Sequence, residues 1–203
     1  MHVICFDLEG VFVPEIWINV AEKTGIEELR LTTRDIADYD VLMRKRLSIL
    51  DAHGLKLKDI TDVIARIDPL EGAKAFIDWL RERTQVVILS DTFVQFAGPL
   101  MRKLGWPTLL CNELSLAPDG SVSGYRLRQS TGKRMAVIAF KSLYYRVVAV
   151  GDSYNDIAMI KEADTGILFR PPPNIVEEFP ELPVTTTYDE LREIVEKELA
   201  AGG

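Results

Sequence analysis

Two carboxylates follow the first apolar segment of the chain closely enough to form a site. Residues 3–6 are wholly apolar, and Asp7, Glu9 and Gly10 come directly after them. A short apolar run of this kind predicts a strand buried on both faces of a parallel sheet. Ligands of open α/β sheets bind at the carboxyl ends of the strands, which would place Asp7 and Glu9 at the mouth of a site. An acidic strand end before a glycine is also typical of a turn with a solvated or capping aspartate.

Two later apolar segments, 85–89 and 146–150, also end in polar side chains. The residues concerned are Ser90, Asp91 and Thr92 after the first segment, and Asp152, Asn155 and Asp156 after the second. Because parallel strands end on the same side of a sheet, we expect these groups to converge on Asp7 and Glu9. Several carboxylates close together are unfavourable unless a cation neutralises them.

A hard divalent cation would remove this repulsion. Mg²⁺ prefers oxygen ligands, uses one or two carboxylates and bridges to substrate phosphate. We predict Asp7 and Asp152 as ligands, with the backbone carbonyl of Glu9 as a third contact and Asp156 as a direct or water-mediated partner. The chemistry that fits such a site is phosphoryl transfer, in which an aspartate can act as nucleophile through an aspartyl-phosphate.

Two further groups could hold a phosphoryl group. Ser90 is predicted to precede a helix, where its hydroxyl and the amides after it would form an anion pocket. The segment Ser90, Asp91 and Thr92 could equally be a helix cap, and the two roles are compatible. Lys133 begins the helix before the fourth strand. A lone lysine there is normally exposed to solvent, but it is the only cation that the core supplies near these strand ends.

The segment from Glu15 to about Asp68 predicts helices without strands. Positions 36, 39, 43, 47 and 50 are apolar at three- and four-residue steps, which indicates an amphipathic helix. Arg46 lies beside that apolar face, whereas Arg44 and Lys45 point elsewhere. A half-buried arginine is costly unless an anion pairs with it, so Arg46 is a candidate for ligand binding. We interpret residues 15–68 as a helical lid inserted after the first strand.

From Pro69 onwards, strands alternate with helices of about ten residues, with a β-hairpin around Asp119 and Gly120. This alternation predicts an α/β fold with a parallel sheet. The domain prediction is therefore a catalytic core of residues 1–14 and 69–203 with a helical cap of residues 15–68. A plausible capping box at Thr187 and Glu190 begins the last helix.

Composition limits the partners. The net charge is −7, with no basic stripe, which argues against nucleic acid and anionic membranes as partners. Cys5 and Cys111 lie in apolar segments and are predicted to be reduced core thiols. With no signal peptide and no long apolar run, we expect a cytoplasmic protein, monomeric or homodimeric, that acts on small molecules.

Four segments in order resemble the motifs of the haloacid dehalogenase-like superfamily. They are Asp7-Leu8-Glu9-Gly10-Val11, Ser90-Asp91-Thr92-Phe93, Lys133 and Gly151-Asp152-Ser153-Tyr154-Asn155-Asp156. The resemblance runs nearly end to end and implies a Rossmann-like core. Residues 44–50 of the lid and Glu15 resemble, more narrowly, the phosphoserine phosphatase branch.

The resemblance implies a role for each of these positions. Asp7 would be the nucleophile and Glu9 the general acid and base. Glu15 and Arg46 would bind the amino and carboxylate groups of phosphoserine. The remaining implied roles are phosphoryl binding by Ser90 and Lys133, and Mg²⁺ binding by Asp7 and Asp152 with support from Asn155 and Asp156.

The sequence departs from the common family pattern twice. Glu9 replaces an aspartate, and Asp91-Thr92 replaces a pair of glycines. Both changes would suit a different acceptor, and they are similar to a branch that also transfers the phosphoryl group to homoserine. The prediction is therefore phosphoryl transfer from phosphoserine to water or to homoserine.

Three alternatives are weaker. A phosphatase for another small phosphomonoester, without transferase activity, shares the motifs but would have a different lid specificity. A phospho-accepting signalling module would lack the inserted lid and the Gly-Asp-x-x-x-Asp segment. A redox-cofactor protein would need a glycine-rich G-x-G-x-x-G turn after a strand, and the sequence has none.

Overall fold

The structure is a computed structural model that describes residues 1–32, 35–36 and 38–201. Positions 33, 34 and 37 of the predicted cap and positions 202 and 203 of the predicted core lie outside the described residues. Within the described part of the chain, no helix is long and apolar enough to cross a membrane.

Seven strands form one sheet in the order β4-β3-β2-β1-β5-β6-β7. Neighbouring strands are parallel except for the antiparallel pair β3–β4, which forms the predicted hairpin. The predicted α/β fold is confirmed. The strands are β1 (His2–Phe6), β2 (Gln85–Phe93), β3 (Thr108–Leu116), β4 (Val122–Arg126), β5 (Arg146–Gly151), β6 (Thr165–Phe169) and β7 (Val184–Thr185).

Helices follow or connect the strands, and apolar side chains repeated along one face of most of them pack on the sheet. The described helices are α1 (Ile16–Thr24), α2 (Tyr39–Ala52), α3 (Leu57–Ile64), α4 (Ala73–Arg81), α5 (Val94–Leu104), α6 (Gly132–Ser142), α7 (Ile157–Glu162), α8 (Pro173–Glu178) and α9 (Tyr188–Ala201), with short 3₁₀ helices at Glu27–Arg30 and Tyr154–Asp156. The sequence did not predict α8, where Pro173 occupies the first helical position and needs no amide donor. The capping box before α9 is confirmed by reciprocal hydrogen bonds of 3.2 Å between Thr187 and Glu190.

Two predicted element boundaries are wrong. Helix α2 begins at Tyr39, because the Asp38 side chain accepts a hydrogen bond from Val41 N and caps it, so Ile36 lies outside the helix. Strand β2 does not end before Ser90 but continues to Phe93, which pairs with Asn112 after a register irregularity. Ser90 therefore lies inside a strand and does not cap α5.

Among the described residues, the insertion between β1 and β2 contains helices α1 to α4, of which α1 to α3 lie in the segment 15–68 that was predicted to be helical. The insertion is bound to the hairpin as well as to the sheet. Its apolar side chains belong to the same cluster as one face of the sheet. Leu57 N, at the start of α3, donates to Gly120 O at 3.0 Å, and Lys56 Nζ lies 3.1 Å from Asp119 Oδ2. Tyr125 of β4 also donates a hydrogen bond to Asp40 of α2. The hairpin therefore contacts two helices of the insertion.

Candidate active site

The three central strands β2, β1 and β5 end at the same edge of the sheet and carry the predicted groups there. Asp7 follows β1 directly, and its amide donates to Val150 O of β5 at 2.9 Å. Ser90 lies near the end of β2, and Asp152 follows β5. The expected convergence arises because these strands are parallel and adjacent.

Three carboxylates at this edge fit a magnesium ion. Asp7, Asp152 and Asp156 are buried, and each offers an oxygen atom within 4.8 Å of the other two. Burial, together with the negative charges of Asp156 and Asp152, raises the pKa of Asp7 well above its ordinary value. Oxygen donors with no nitrogen or sulfur favour Mg²⁺, and a bound cation would relieve the repulsion among the carboxylates. The residues present therefore suit the ion that the sequence predicted.

Two glycines make room for this cluster. Gly10 has φ +75°, and a Cβ atom there would lie 2.4 Å from Asp152 Cγ. A Cβ atom at Gly151 would lie 2.3 Å from Asp156 Cγ. Both contacts are far shorter than van der Waals distance, so only glycine lets the backbone at these two positions approach the carboxylates.

Lys133, at the start of α6, is buried rather than exposed. Its Nζ atom lies 2.9 Å from Asp7 Oδ1 and 2.7 Å from Asp156 Oδ1. Burial opposes its positive charge, but the carboxylates of Asp156, Asp7 and Asp91 outweigh that effect and raise the pKa of Lys133. The lysine therefore remains a cation at the strand ends.

Asp156 connects the lysine to the loop after β5. It is fully buried, and its Oδ2 accepts hydrogen bonds from Asp152 N at 3.0 Å and Ser153 N at 3.2 Å. Its other oxygen pairs with Lys133. Asp156 thus fixes the backbone that carries Asp152.

The carboxylate of Glu9 is not part of the group formed by Asp7, Asp152 and Asp156, and it contacts the start of α1 instead. Its Oε2 accepts a hydrogen bond from Ile16 N at 2.8 Å. Burial raises the pKa of Glu9 to about 8, and the nearby carboxylate of Glu15 adds to the rise. At neutral pH the Glu9 side chain is therefore mostly protonated, which is the form that a general acid requires.

Arg46 is buried, as its place beside the apolar face of α2 predicted, whereas Arg44 and Lys45 are exposed. Its Nη2 donates to Leu31 O at 2.8 Å, and the guanidinium lies 4.6 Å from the ring centroid of Trp17. Among the contacts of the described residues, Arg46 Nε has no hydrogen-bond partner although it is buried. An anionic ligand is the natural partner for such a group.

One cavity of about 80 Å³ brings the predicted residues together. Asp156 does not line it but contacts Lys133 Nζ and the amide of Asp152. Thr92 is buried in its wall, and its amide donates to Ser90 Oγ at 3.1 Å. The predicted residues that line the cavity are Asp7, Glu9, Glu15, Arg46, Ser90, Asp91, Thr92, Lys133, Asp152 and Asn155.

A second cavity of about 390 Å³ adjoins the first. The two share Ser90, Asp91, Lys133 and Asn155 among their lining residues. Asn155 Nδ2 donates to Asp91 Oδ2 at 3.0 Å, so this side-chain pair forms part of the wall of both cavities.

Tyr39 is a residue of the site that the sequence did not reveal. It lines both cavities, and its hydroxyl donates to Asp91 O at 2.9 Å. The sequence placed Tyr39 on the apolar face of the lid helix, two turns before Arg46. That shared face was the available signal, but an aromatic residue at such a position is usually explained by core packing alone.

Comparison with known proteins agrees with this geometry. A family model described as haloacid dehalogenase-like hydrolase matches residues 1–164. The chain is 64% identical over 192 residues to phosphoserine phosphatase ThrH of Pseudomonas aeruginosa, covering 95% of this chain and 94% of that protein. It is 63% identical to a phosphoserine phosphatase of Pseudomonas syringae pv. tomato, covering 95% of this chain and 81% of the relative.

A solved structure has the same fold over nearly the whole chain. It is a phospho-aspartyl intermediate analogue of phosphoserine phosphatase, with a TM-score of 0.76 and 27% sequence identity. The match covers 97% of this chain and 98% of the other.

Proposed function

The chain belongs to the haloacid dehalogenase-like hydrolase family, and on that premise we propose that it is a Mg²⁺-dependent phosphoserine phosphatase that also transfers the phosphoryl group to homoserine. The names of the two Pseudomonas relatives support the phosphatase activity. The transferase activity rests on Glu9 and Asp91, where the sequence departs from the common family pattern.

The observation that carries the proposal is that the two ends of one cavity match the two ends of phosphoserine. Lys133, Ser90, Glu15 and Arg46 all line this cavity. Lys133 contacts Asp7, which marks one end, and Arg46 faces Glu9 and Glu15, which marks the other. A phosphate dianion would bind the first end. An ammonium group would pair with Glu15, and a carboxylate would satisfy the buried guanidinium of Arg46.

The residues of this chain support a double displacement. An Asp7 oxygen attacks phosphorus while Glu9 donates its proton to the serine oxygen, the phosphorus–oxygen bond to serine breaks, and serine leaves. Glu9, now a carboxylate, takes a proton from water or from the homoserine hydroxyl as that oxygen attacks the aspartyl-phosphate. Asp7 is released as a carboxylate, and Glu9 is protonated again.

Asp7, Asp152 and the Glu9 carbonyl would hold Mg²⁺, with Asp156 close by, and the bound ion would neutralise charge on the phosphoryl oxygens. We also propose that residues 15–68 are a cap domain on a core of residues 1–14 and 69–203. A closed cap limits the access of water and so favours the alcohol as acceptor.

The test uses phosphoserine and Mg²⁺ with and without homoserine, followed by phosphate assay and ³¹P NMR. We expect Mg²⁺-dependent phosphate release, and phosphohomoserine when homoserine is present. Asp7→Asn removes the nucleophile, so both products should fall by roughly 10³-fold or more. Asp78→Asn, at an exposed aspartate on α4, is the matched control.

Each other outcome has a distinct meaning. Phosphate release without any phosphohomoserine would leave a phosphatase and disprove the transfer. Release from another small phosphomonoester, but none from phosphoserine, would overturn the proposed substrate. Full turnover by Asp7→Asn would overturn the mechanism.

A further inference from the structure

Lys133 lies close to one carboxylate that is outside the group that could hold a metal ion. Its Nζ atom contacts Asp7 and Asp156, and it also lies 3.8 Å from Asp91 Oδ2. Among the described residues, the group that could hold a metal ion consists of Asp7, Asp152 and Asp156. Asp91 is therefore a further negative charge directed at the cation that would bind the phosphoryl group.

The backbone of Asp91 is fixed, whereas its carboxylate is weakly held. The backbone carbonyl accepts hydrogen bonds from the Tyr39 hydroxyl at 2.9 Å and from Asn112 Nδ2 at 3.2 Å. The side chain is 43% exposed and is held by the amide of Asn155 and, more distantly, by Lys133. Rotation of the carboxylate would break these side-chain contacts without moving the strand.

Space for such a rotation lies next to the side chain. Asp91 lines both the candidate active-site cavity and the adjoining cavity of about 390 Å³. A carboxylate that leaves Lys133 can remain hydrated there, so the rotation need not bury an unpaired charge.

A phosphoryl group bound at Ser90 and Lys133 would lie within a few ångströms of this carboxylate. Two anions at that distance repel each other, and a partly buried site screens the repulsion poorly. We propose that Asp91 competes with the phosphoryl group for Lys133 and thereby weakens the binding of inorganic phosphate, which promotes release of that product. This inference rests on the proposed function only in requiring a phosphoryl group at Ser90 and Lys133.

The proposal explains how a site built for a dianion could avoid inhibition by its own product. Mg²⁺, a lysine and a serine hydroxyl together would bind free phosphate tightly, and product release limits the turnover of many enzymes. Asp91 supplies a neighbouring charge that returns to Lys133 as phosphate leaves. It acts on binding and takes part in no bond that forms or breaks.

The test is direct binding of inorganic phosphate to the Mg²⁺-loaded protein, measured by calorimetry. Asp91→Asn removes the charge and keeps a hydrogen-bond acceptor for Asn155, so phosphate should bind roughly five- to tenfold more tightly, as expected for two charges about 5 Å apart at a partly exposed site. Asp91→Glu keeps the charge and is the matched control, with an expected change of less than about twofold. The difference between the two variants should shrink in about 1 M salt, where charges are screened within ~3 Å.

A second uncharged variant, Asp91→Ser, keeps the test valid if Asp91→Asn is poorly folded, and thermal unfolding reports the folded state of each. If both uncharged variants bind phosphate no more tightly than the wild type, Asp91 only positions Lys133 or Asn155 and the inference is wrong. Because phosphate binding is measured without phosphoserine, the result is independent of the substrate. Asp91-dependent phosphate binding in a protein that does not hydrolyse phosphoserine would leave this inference standing and overturn the proposed function alone.

Discussion

The two ends of the candidate active-site cavity satisfy their charges in different ways. At the strand ends, Lys133 pairs with Asp7 and Asp156, and Asp156 also accepts two backbone hydrogen bonds. The other end is formed by Glu9, Glu15 and Arg46 and is called the cap end. There Arg46 Nε is buried without a hydrogen-bond partner among the described residues. Glu9 has a raised pKa there because it is buried close to the carboxylate of Glu15.

This difference implies that one end of the cavity contributes mainly to the stability of the protein and the other mainly to the selection of the substrate. The strand-end groups form an ion-paired network that holds neighbouring loops in place before any ligand arrives. At the cap end, the positive charge of Arg46 already faces the carboxylates of Glu9 and Glu15, but its buried Nε lacks a hydrogen-bond partner among the described residues, which the carboxylate of a zwitterion would supply. We therefore expect substitutions at the strand ends to affect both folding and turnover, and substitutions at the cap end to affect turnover more than folding.

The largest effect should follow Lys133→Met. Removing the lysine leaves Asp7 and Asp156 buried without their cation, which typically costs about 3 kcal/mol of unfolding free energy. Turnover of phosphoserine should fall by roughly 10³-fold as well. Urea unfolding in the presence of a chelator measures the first effect. Lys141→Met, on the outer part of α6, is the control and should cost less than about 1 kcal/mol; an equal loss in both variants would contradict the comparison.

Arg46→Met should be nearly as harmful to activity but less harmful to folding. The substrate carboxylate loses its partner, so kcat/KM for phosphoserine should fall by roughly 100-fold. The unfolding free energy should fall by less than in Lys133→Met, because the lost contacts are the hydrogen bond to Leu31 O and the packing on the Trp17 ring, and the unpaired Nε donor is removed with them. Lys45→Met changes the adjacent exposed residue and should alter neither quantity. A large loss of stability in Arg46→Met would show that the two ends do not differ.

The pH dependence of the cap end provides a smaller effect. Glu9 must be protonated to act as the acid, and its pKa is raised from 4.5 to about 8. A rate limited by departure of serine should therefore fall as pH rises through about 8, approaching tenfold per pH unit above it.

The same shift affects folding. A raised pKa favours the protonated folded state, so this contribution to stability is complete below pH 4.5 and is lost as pH rises towards 8. Urea unfolding across that range should show a smaller decline in Glu9→Gln than in the wild type. Identical pH profiles for the two proteins would refute the assigned shift.

The smallest effect concerns the hairpin. Lys56→Ala removes the contact with Asp119 that ties the insertion to the hairpin, and Lys58→Ala removes an exposed pair with Asp62 within α3. Both pairs are exposed to solvent, so neither substitution should measurably change the stability. Only Lys56→Ala should raise the ratio of phosphate to phosphohomoserine, by a fewfold, because a looser cap admits more water. Equal product ratios in the two variants would show that the contact with the hairpin does not affect closure of the cap.

The sequence predicted most of the fold because apolar periodicity and glycine positions are local signals. The convergence of Asp7, Ser90 and Asp152 also followed from the parallel order of the strands. The extension of β2 through Ser90 was not predictable, since three polar residues in a row resemble a strand end. The ladder continues there because Phe93 finds a partner in Asn112 of β3, which is a tertiary contact.

The sequence predicted which residues form the candidate site better than it predicted the contacts that these residues make. The position of Arg46 on its helix indicated burial, but nothing in the sequence indicated that its Nε would remain unpaired. The burial of Lys133 depends on Asp7 and Asp156, which are far away along the chain. The contact of Tyr39 with Asp91 joins the insertion to the core across 52 positions, and no periodicity reports such a pairing.

Gly10 and Gly151 have a consequence for how substitutions would be tolerated along this chain. Neither residue offers a side chain for chemistry, yet even alanine would place an atom against the carboxylate of Asp152 or Asp156. In a library in which every position is varied and active clones are selected, these two positions should be as invariant as Asp7. Such invariance would be explained by the space that the two carboxylates occupy next to these glycines.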